Sequence, residues 1–181
     1  MDKVRLGIIG MGNMGNGHLR SILNGECPRI EVTALADTDP EKLKKAGEMC
    51  KDAMLFETSD ALMDSGLADA VLIAVPHYDH PGSAIKAFRH GLHVMTEKPA
   101  GVYTRQVREM NEAAARSGVK FAIMFNQRAD PIYAKAREIV SSGQLGGLKR
   151  LVWIVTNRYR TQPYYDSGSW RASWNGEGGG F

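Results

Sequence analysis

The sequence predicts an α/β fold: a doubly wound parallel sheet, followed by the truncated start of a second α/β domain. Three observations predict it. Apolar runs such as "DAVLIAV" (69–75) read as strands buried on both faces. These runs alternate with segments long enough for amphipathic helices, the pattern of a parallel sheet with crossover connections. The alternation is complete by about residue 125, after which one helix and one strand precede turn-rich sequence. One helix and one strand cannot close a second core.

Val4 to Ile9 is the first strand. After a glycine-rich turn, His18, Leu19, Ile22 and Leu23 recur at helical spacing, and Asn24-Gly25 marks the end of that helix. "IEVTALA" (30–36) is the second strand. In "DPEKLKKAGEMC" (39–50), Asp39 caps a helix and Pro40 takes its first position. A short strand near Met54–Phe56 and a helix from Ser59 lead to the strand at 69–75. "HPGSAIKAFRHG" (80–91) is a helix closed by Gly91, and "HVMTE" (93–97) a strand. "TRQVREMNEAAARSG" (104–118) is a helix closed by Gly118, and "VKFAIMF" (119–125) the next strand.

The chain therefore divides into a first domain over residues 1–125 and the beginning of a second over 126–181. In the latter, 130–143 reads as a helix closed by glycine, and "LKRLVWIVTNRY" (148–159) as a long alternating strand. A lone two-sided strand has open edges, so it is expected to pair with a neighbouring chain or to be poorly ordered. Met11, Met14, Met49, Met54, Met63, Met95, Met110 and Met124 follow the apolar periodicity and read mostly as core.

Composition narrows the function. The chain has 181 residues, of which 43% are apolar and 24% charged, with a net charge of +3. That charge is too small, and too evenly spread, to imply a nucleic-acid partner. No apolar run is long enough to span a membrane. The two cysteines, Cys27 and Cys50, have no metal-ligand spacing and suit a reducing, cytoplasmic setting. No metal site is expected.

Chemistry enters with "GIIGMGNMG" (7–15), where Gly10, Gly12 and Gly15 sit between a strand and a helix. In that context Gly10 makes the tight turn, Gly12 lets the backbone approach a pyrophosphate, and Gly15 lets the helix lie close to the sheet. Asn13 and Met14 complete the loop. Backbone N–H groups at the helix start receive the phosphate charge. Asp37 ends the second strand about twenty residues later, where a carboxylate accepts from ribose hydroxyls and repels a 2′-phosphate. NAD is therefore favoured over NADP. Three polar clusters follow later strands: Val75, Pro76, His77 and His80; Glu97 and Lys98; Asn126 and Arg128. Each alone reads equally well as a plain loop, and His80 equally well as a helix cap. Together they converge on one crevice at the strand ends.

The motifs "GIIGMGNMG", "ALADTDP", "AVPHYDH", "EKPAG", "FNQRADP" and "WRASWNGEGGGF", in that order, resemble the glucose–fructose oxidoreductase/myo-inositol dehydrogenase (Gfo/Idh/MocA) family over nearly the whole chain. The resemblance implies an N-terminal Rossmann domain and a C-terminal α/β domain used for homo-oligomerisation. It implies NAD(P)-dependent oxidation or reduction of sugars, polyols and related cyclic compounds. It makes Lys98 the active-site lysine, places Glu97, Pro76, His77 and His80 around the nicotinamide half, and sets Asn126, Arg128, Trp170 and Arg171 near the nicotinamide or substrate. It also implies an often cis Lys98–Pro99 bond. Family members carry a downstream acid and histidine, which this sequence does not reach, so an inactive N-terminal fragment is expected. A non-catalytic dinucleotide sensor is the alternative, since it needs only the glycine loop and Asp37. A methyltransferase on the same sheet is disfavoured by the glycine spacing.

Overall fold

Strands β1 (Val4–Ile9), β2 (Ile30–Ala36), β3 (Met54–Phe56), β4 (Ala70–Ile73), β5 (His93–Thr96) and β6 (Phe121–Ile123) form one sheet in the order β3-β2-β1-β4-β5-β6. The computed structural model describes residues 3–156, 159–166, 168 and 170–178. Every neighbouring pair of strands runs parallel. Parallel neighbours need crossovers, which α1 (Asn13–Leu23), α2 (Pro40–Met49), α3 (Ser59–Asp64), α4 (His80–Arg89) and α5 (Thr104–Ser117) supply. The order reverses at β1, which lies between β2 and β4. A crevice opens at that reversal, beyond the carboxyl ends of the strands.

The sheet is covered on both faces. Ile8 joins Leu6, Leu19, Leu35, Leu43 and Leu72 in one buried cluster. Its neighbour Ile9 joins Leu62, Ile73, Phe88, Val94 and Met110 in the other. Adjacent side chains of a strand point to opposite faces, so β1 feeds both cores. Each such side chain contributes on the order of 1.5–3 kcal/mol when fully buried. Local signals set the helix ends. The Asp39 side chain accepts from the N–H groups of Glu41 (3.0 Å) and Lys42 (3.3 Å) at the start of α2. Gly118, at φ +72°, closes α5 in the left-handed conformation that glycine adopts without a Cβ clash.

Two strands are shorter than their apolar runs. Pairing stops at Ile73 and Ile123, where the chain turns into polar loops, so 69–75 and 119–125 are strand only in part. The methionines also divide. Met11, Met63 and Met110 are buried, whereas Met14 (46% exposed), Met54 and Met95 are at the surface.

The described residues through Met124, together with those from Ala172 onward, form one compact unit. Phe125–Arg171 form a second, which holds α6 (Pro131–Ser141) and α7 (Gln162–Asp166). Asp130 caps α6 by accepting from the Ile132 N–H at 2.8 Å. Within this unit Tyr133 stacks on Trp153 with ring centroids 5.3 Å apart, beside a cavity of about 750 Å³. The expected strand over 148–159 does not form: residues 148–156 pair with no strand, and 157 and 158 lie outside the described residues. A strand is defined by its ladder, and alternation without a partner does not make one. The final residues also differ from a simple continuation of the second domain. Helix α8 (Trp174–Glu177) belongs to the first unit, where the Tyr78 hydroxyl donates to the Trp174 carbonyl at 2.8 Å.

Candidate functional site

The glycine loop is built as its spacing requires. Gly10 has φ +94°, and a Cβ there would lie 2.6 Å from the Ala74 carbonyl oxygen. Its own N–H donates to the Ala36 carbonyl at 2.8 Å. A Cβ on Gly15 would collide with the Gly10 carbonyl oxygen, so only glycine lets α1 sit this close to the loop. Gly12 differs from both, because a Cβ there would meet nothing within 4 Å. It faces open space at the start of α1 and offers no side-chain cap. The first-turn N–H groups of α1, beginning at the exposed Asn13 and Met14, thus remain for an anion, reinforced by the helix dipole.

Asp37 closes the loop from the end of β2. One carboxylate oxygen accepts from the Met11 N–H at 2.5 Å, the other from the Asp39 N–H at 2.8 Å. A carboxylate has about four lone-pair sites, so acceptor capacity remains for a diol. Asn16, which sequence reasoning passed over, adds bonds from Nδ2 to the carbonyls of Met11 (2.6 Å) and Gly12 (3.1 Å). These features fit a dinucleotide: an open glycine, a helix start without its own cap, and a fixed carboxylate across the loop.

Past the reversal, β4 and β5 carry the remaining groups. Glu97 is only 4% exposed. Its Oε1 lies 2.7 Å from His18 Nε2 on α1, and its Oε2 accepts from the Lys98 N–H at 3.1 Å. Burial pushes the Glu97 carboxyl up. The His18 hydrogen bond and charge, with the Lys98 N–H and ammonium, outweigh it and hold the group below the ordinary carboxylate range. Lys98 itself is exposed, and the Lys98–Pro99 bond is cis. Pro76 is exposed and Val75 half-buried in the loop after β4. His77 is half-buried, with Nδ1 3.3 Å from the Glu177 carbonyl oxygen. Burial pulls its imidazole below the usual value, partly opposed by Glu177 and aided by His80 and Lys98.

Residues 4–125 match the profile of an oxidoreductase family described as having an NAD-binding Rossmann fold, the Gfo/Idh/MocA family. The chain belongs to this family. Among curated Gfo/Idh/MocA relatives, the rhizopine catabolism protein MocA of Rhizobium meliloti is 32% identical over 149 residues, which are 82% of this chain and 45% of that protein. Among solved structures, the WlbA dehydrogenase from Bordetella pertussis, in complex with NADH and UDP-GlcNAcA, aligns with a TM-score of 0.84. It is 27% identical, over 97% of this chain and 50% of its own. Scyllo-inositol dehydrogenase from Lactobacillus casei, with bound NAD(H) and scyllo-inositol, aligns at 0.76 with 27% identity, over 80% of this chain and 43% of its own. The chain spans about half the length of the curated relatives it matches.

Two of the residues expected around the cofactor are buried. His80 is 1% exposed, with both ring nitrogens against backbone carbonyls, so its side chain does not cap α4. Glu97 has one carboxylate oxygen on His18 and the other on the Lys98 N–H. The second unit holds Asn126, Arg128, Trp170 and Arg171. There Arg171 donates to the Tyr164 hydroxyl at 2.7 Å and stacks on the Tyr164 and Trp170 rings. His18 is the site residue that sequence reasoning missed. Its one signal is helical spacing after Gly15, which sets it near the crevice.

Proposed function

We propose that these residues carry the cofactor half of a dehydrogenase that acts on a CH–OH group of a sugar, polyol or related cyclic compound, using NAD in preference to NADP. The observation that carries this reading is the exposed Lys98 side chain beside the crevice, on a turn whose Lys98 backbone N–H donates to the buried Glu97 carboxylate. A module that only senses the dinucleotide has no use for a lysine there.

Gly10, Gly12 and the start of α1 would hold the pyrophosphate, and Asp37 the adenosine ribose. NAD supplies the hydride acceptor when bound. Lys98 Nζ donates a hydrogen bond to the substrate oxygen and stabilises the charge that builds on it. An ordinary lysine is protonated near neutral pH and makes a poor base, so a further group must take the hydroxyl proton. The sugar- and inositol-directed relatives support the substrate class. The family resemblance supports a homo-oligomer, and the two unpaired cysteines support a cytoplasmic setting. Among the described residues no helix is long and apolar enough to cross a membrane.

Calorimetric titration tests the reading. NADH is expected to bind at least about tenfold more tightly than NADPH, a difference of roughly 1.4 kcal/mol, and Asp37→Ser is expected to erase it. Because the chain spans about half its relatives' length, turnover on a sugar and polyol panel is expected to be negligible beside binding. Absent NADH binding overturns the reading, and robust turnover by these residues alone overturns the division of labour.

A further inference from the structure

The loop after β4 and the turn after β5 share one side chain. His80 Nε2 lies 2.8 Å from the Val75 carbonyl oxygen, and its Nδ1 2.7 Å from the Pro99 carbonyl oxygen. The ring is 1% exposed. Carbonyls only accept, so the ring nitrogen that carries a proton donates to its carbonyl, and the tautomer decides which of the two does so. Imidazole suits the task because its nitrogens point in divergent directions from one rigid ring. Val75 leads into Pro76 and His77, and Pro99 follows Lys98 directly. The same turn is tied on its other side, where His18 of α1 holds the Glu97 carboxylate.

We infer that His80 is a positioning residue: it fixes the loop after β4 against the Lys98–Pro99 turn, and so sets the spacing of the walls that receive the nicotinamide end of the cofactor. The inference rests on the NAD reading above. It assigns the larger effect to the nicotinamide end, because Asp37 follows β2, which β1 separates from β4, and the glycine loop touches the segment after β4 at Ala74 through Gly10. A histidine that merely fills the core would weaken both ends together, through the stability of the whole unit.

The test compares NADH with ADP-ribose, which has the adenosine end but lacks nicotinamide. His80→Phe keeps a ring of similar size and removes both ring nitrogens. His80→Asn keeps an N–H donor near one of the two carbonyls. The expected result is a loss of NADH affinity of roughly tenfold in the Phe variant and less in the Asn variant, with ADP-ribose affinity within about twofold of wild type in both. Equal losses for the two ligands, or none for NADH, overturn the inference. Should His80→Phe fail to fold, the Asn variant decides by the same comparison. A wild-type chain that binds neither ligand defeats the NAD reading itself, a different outcome from unequal loss in the variants.

Discussion

Glu97 is an acid kept ionised in a place where burial alone would neutralise it. His18 and the Lys98 N–H hold the carboxylate, and the group titrates below its ordinary range. The sign follows directly. A carboxylate depressed in the folded state stabilises the fold above its unfolded value, about 4.3, and that stability is lost as pH falls through the folded value. His77 adds an earlier loss. Its lowered value means the folded state resists protonation, so stability begins to fall below about 6.5. Thermal melts at stepped pH are therefore expected to show a two-stage acid decline, with the lower stage reduced in Glu97→Gln, since the lowered carboxyls of Asp39 and Asp69 remain. His18→Ala leaves a buried carboxylate without its partner and is expected to cost about 2 kcal/mol at neutral pH. Legibility at this scale was uneven. Asp37 was readable because its distance from the glycines carries the message. The bond between His18 and Glu97 was not, since nothing in a one-dimensional pattern says which side chain on α1 reaches the end of β5.

At the scale of elements, the glycine loop separates two requirements that look alike in sequence. Gly15 is needed by the fold, because its Cβ would strike the Gly10 carbonyl. Gly12 is needed by the ligand, because its Cβ would meet nothing of the protein. Gly15→Ala is expected to lower stability by about 2 kcal/mol through forced displacement of α1. Gly12→Ala is expected to cost less stability, up to about 1 kcal/mol for the poorer N-cap, yet weaken NADH by about tenfold or more. Paired melts and titrations check both, and a Gly12→Ala chain that binds NADH normally would contradict the cradle. The glycines, caps and strand order were legible because each depends on local chemistry: Asp39 ahead of Pro40, Gly118 after α5, apolar runs separated by helices. Strand ends were less so. Apolar residues continue past Ile73 and Ile123, and only the ladder, a contact with distant residues, decides where strand gives way to loop.

For the whole molecule, the division into two units matters most. The second unit exposes Leu151 (84%), Trp153 (61%) and Ile154 (80%) within four consecutive residues. Apolar side chains exposed together favour association. Sedimentation is expected to show concentration-dependent self-association of this chain, relieved by Leu151→Lys with Ile154→Lys. A monomer at all concentrations would contradict it. The alternation over 148–159 was visible in the sequence, but a strand's existence depends on a neighbour that no periodicity supplies. The strand order has a consequence in time as well. β1 leaves the ribosome well before β4, and it gains its second neighbour only after β4 is made, with Arg5 and Asp69 meeting at 2.6 Å across that long interval. Gly10 rests against Ala74, so the floor of the crevice is absent from any nascent chain that stops short of β4. Pairing across such separations pays its loop-closure entropy first, and sheets of this kind fold slowly. The nucleotide can therefore take no part in the earliest collapse, and can stabilise the protein only once the fourth strand is home.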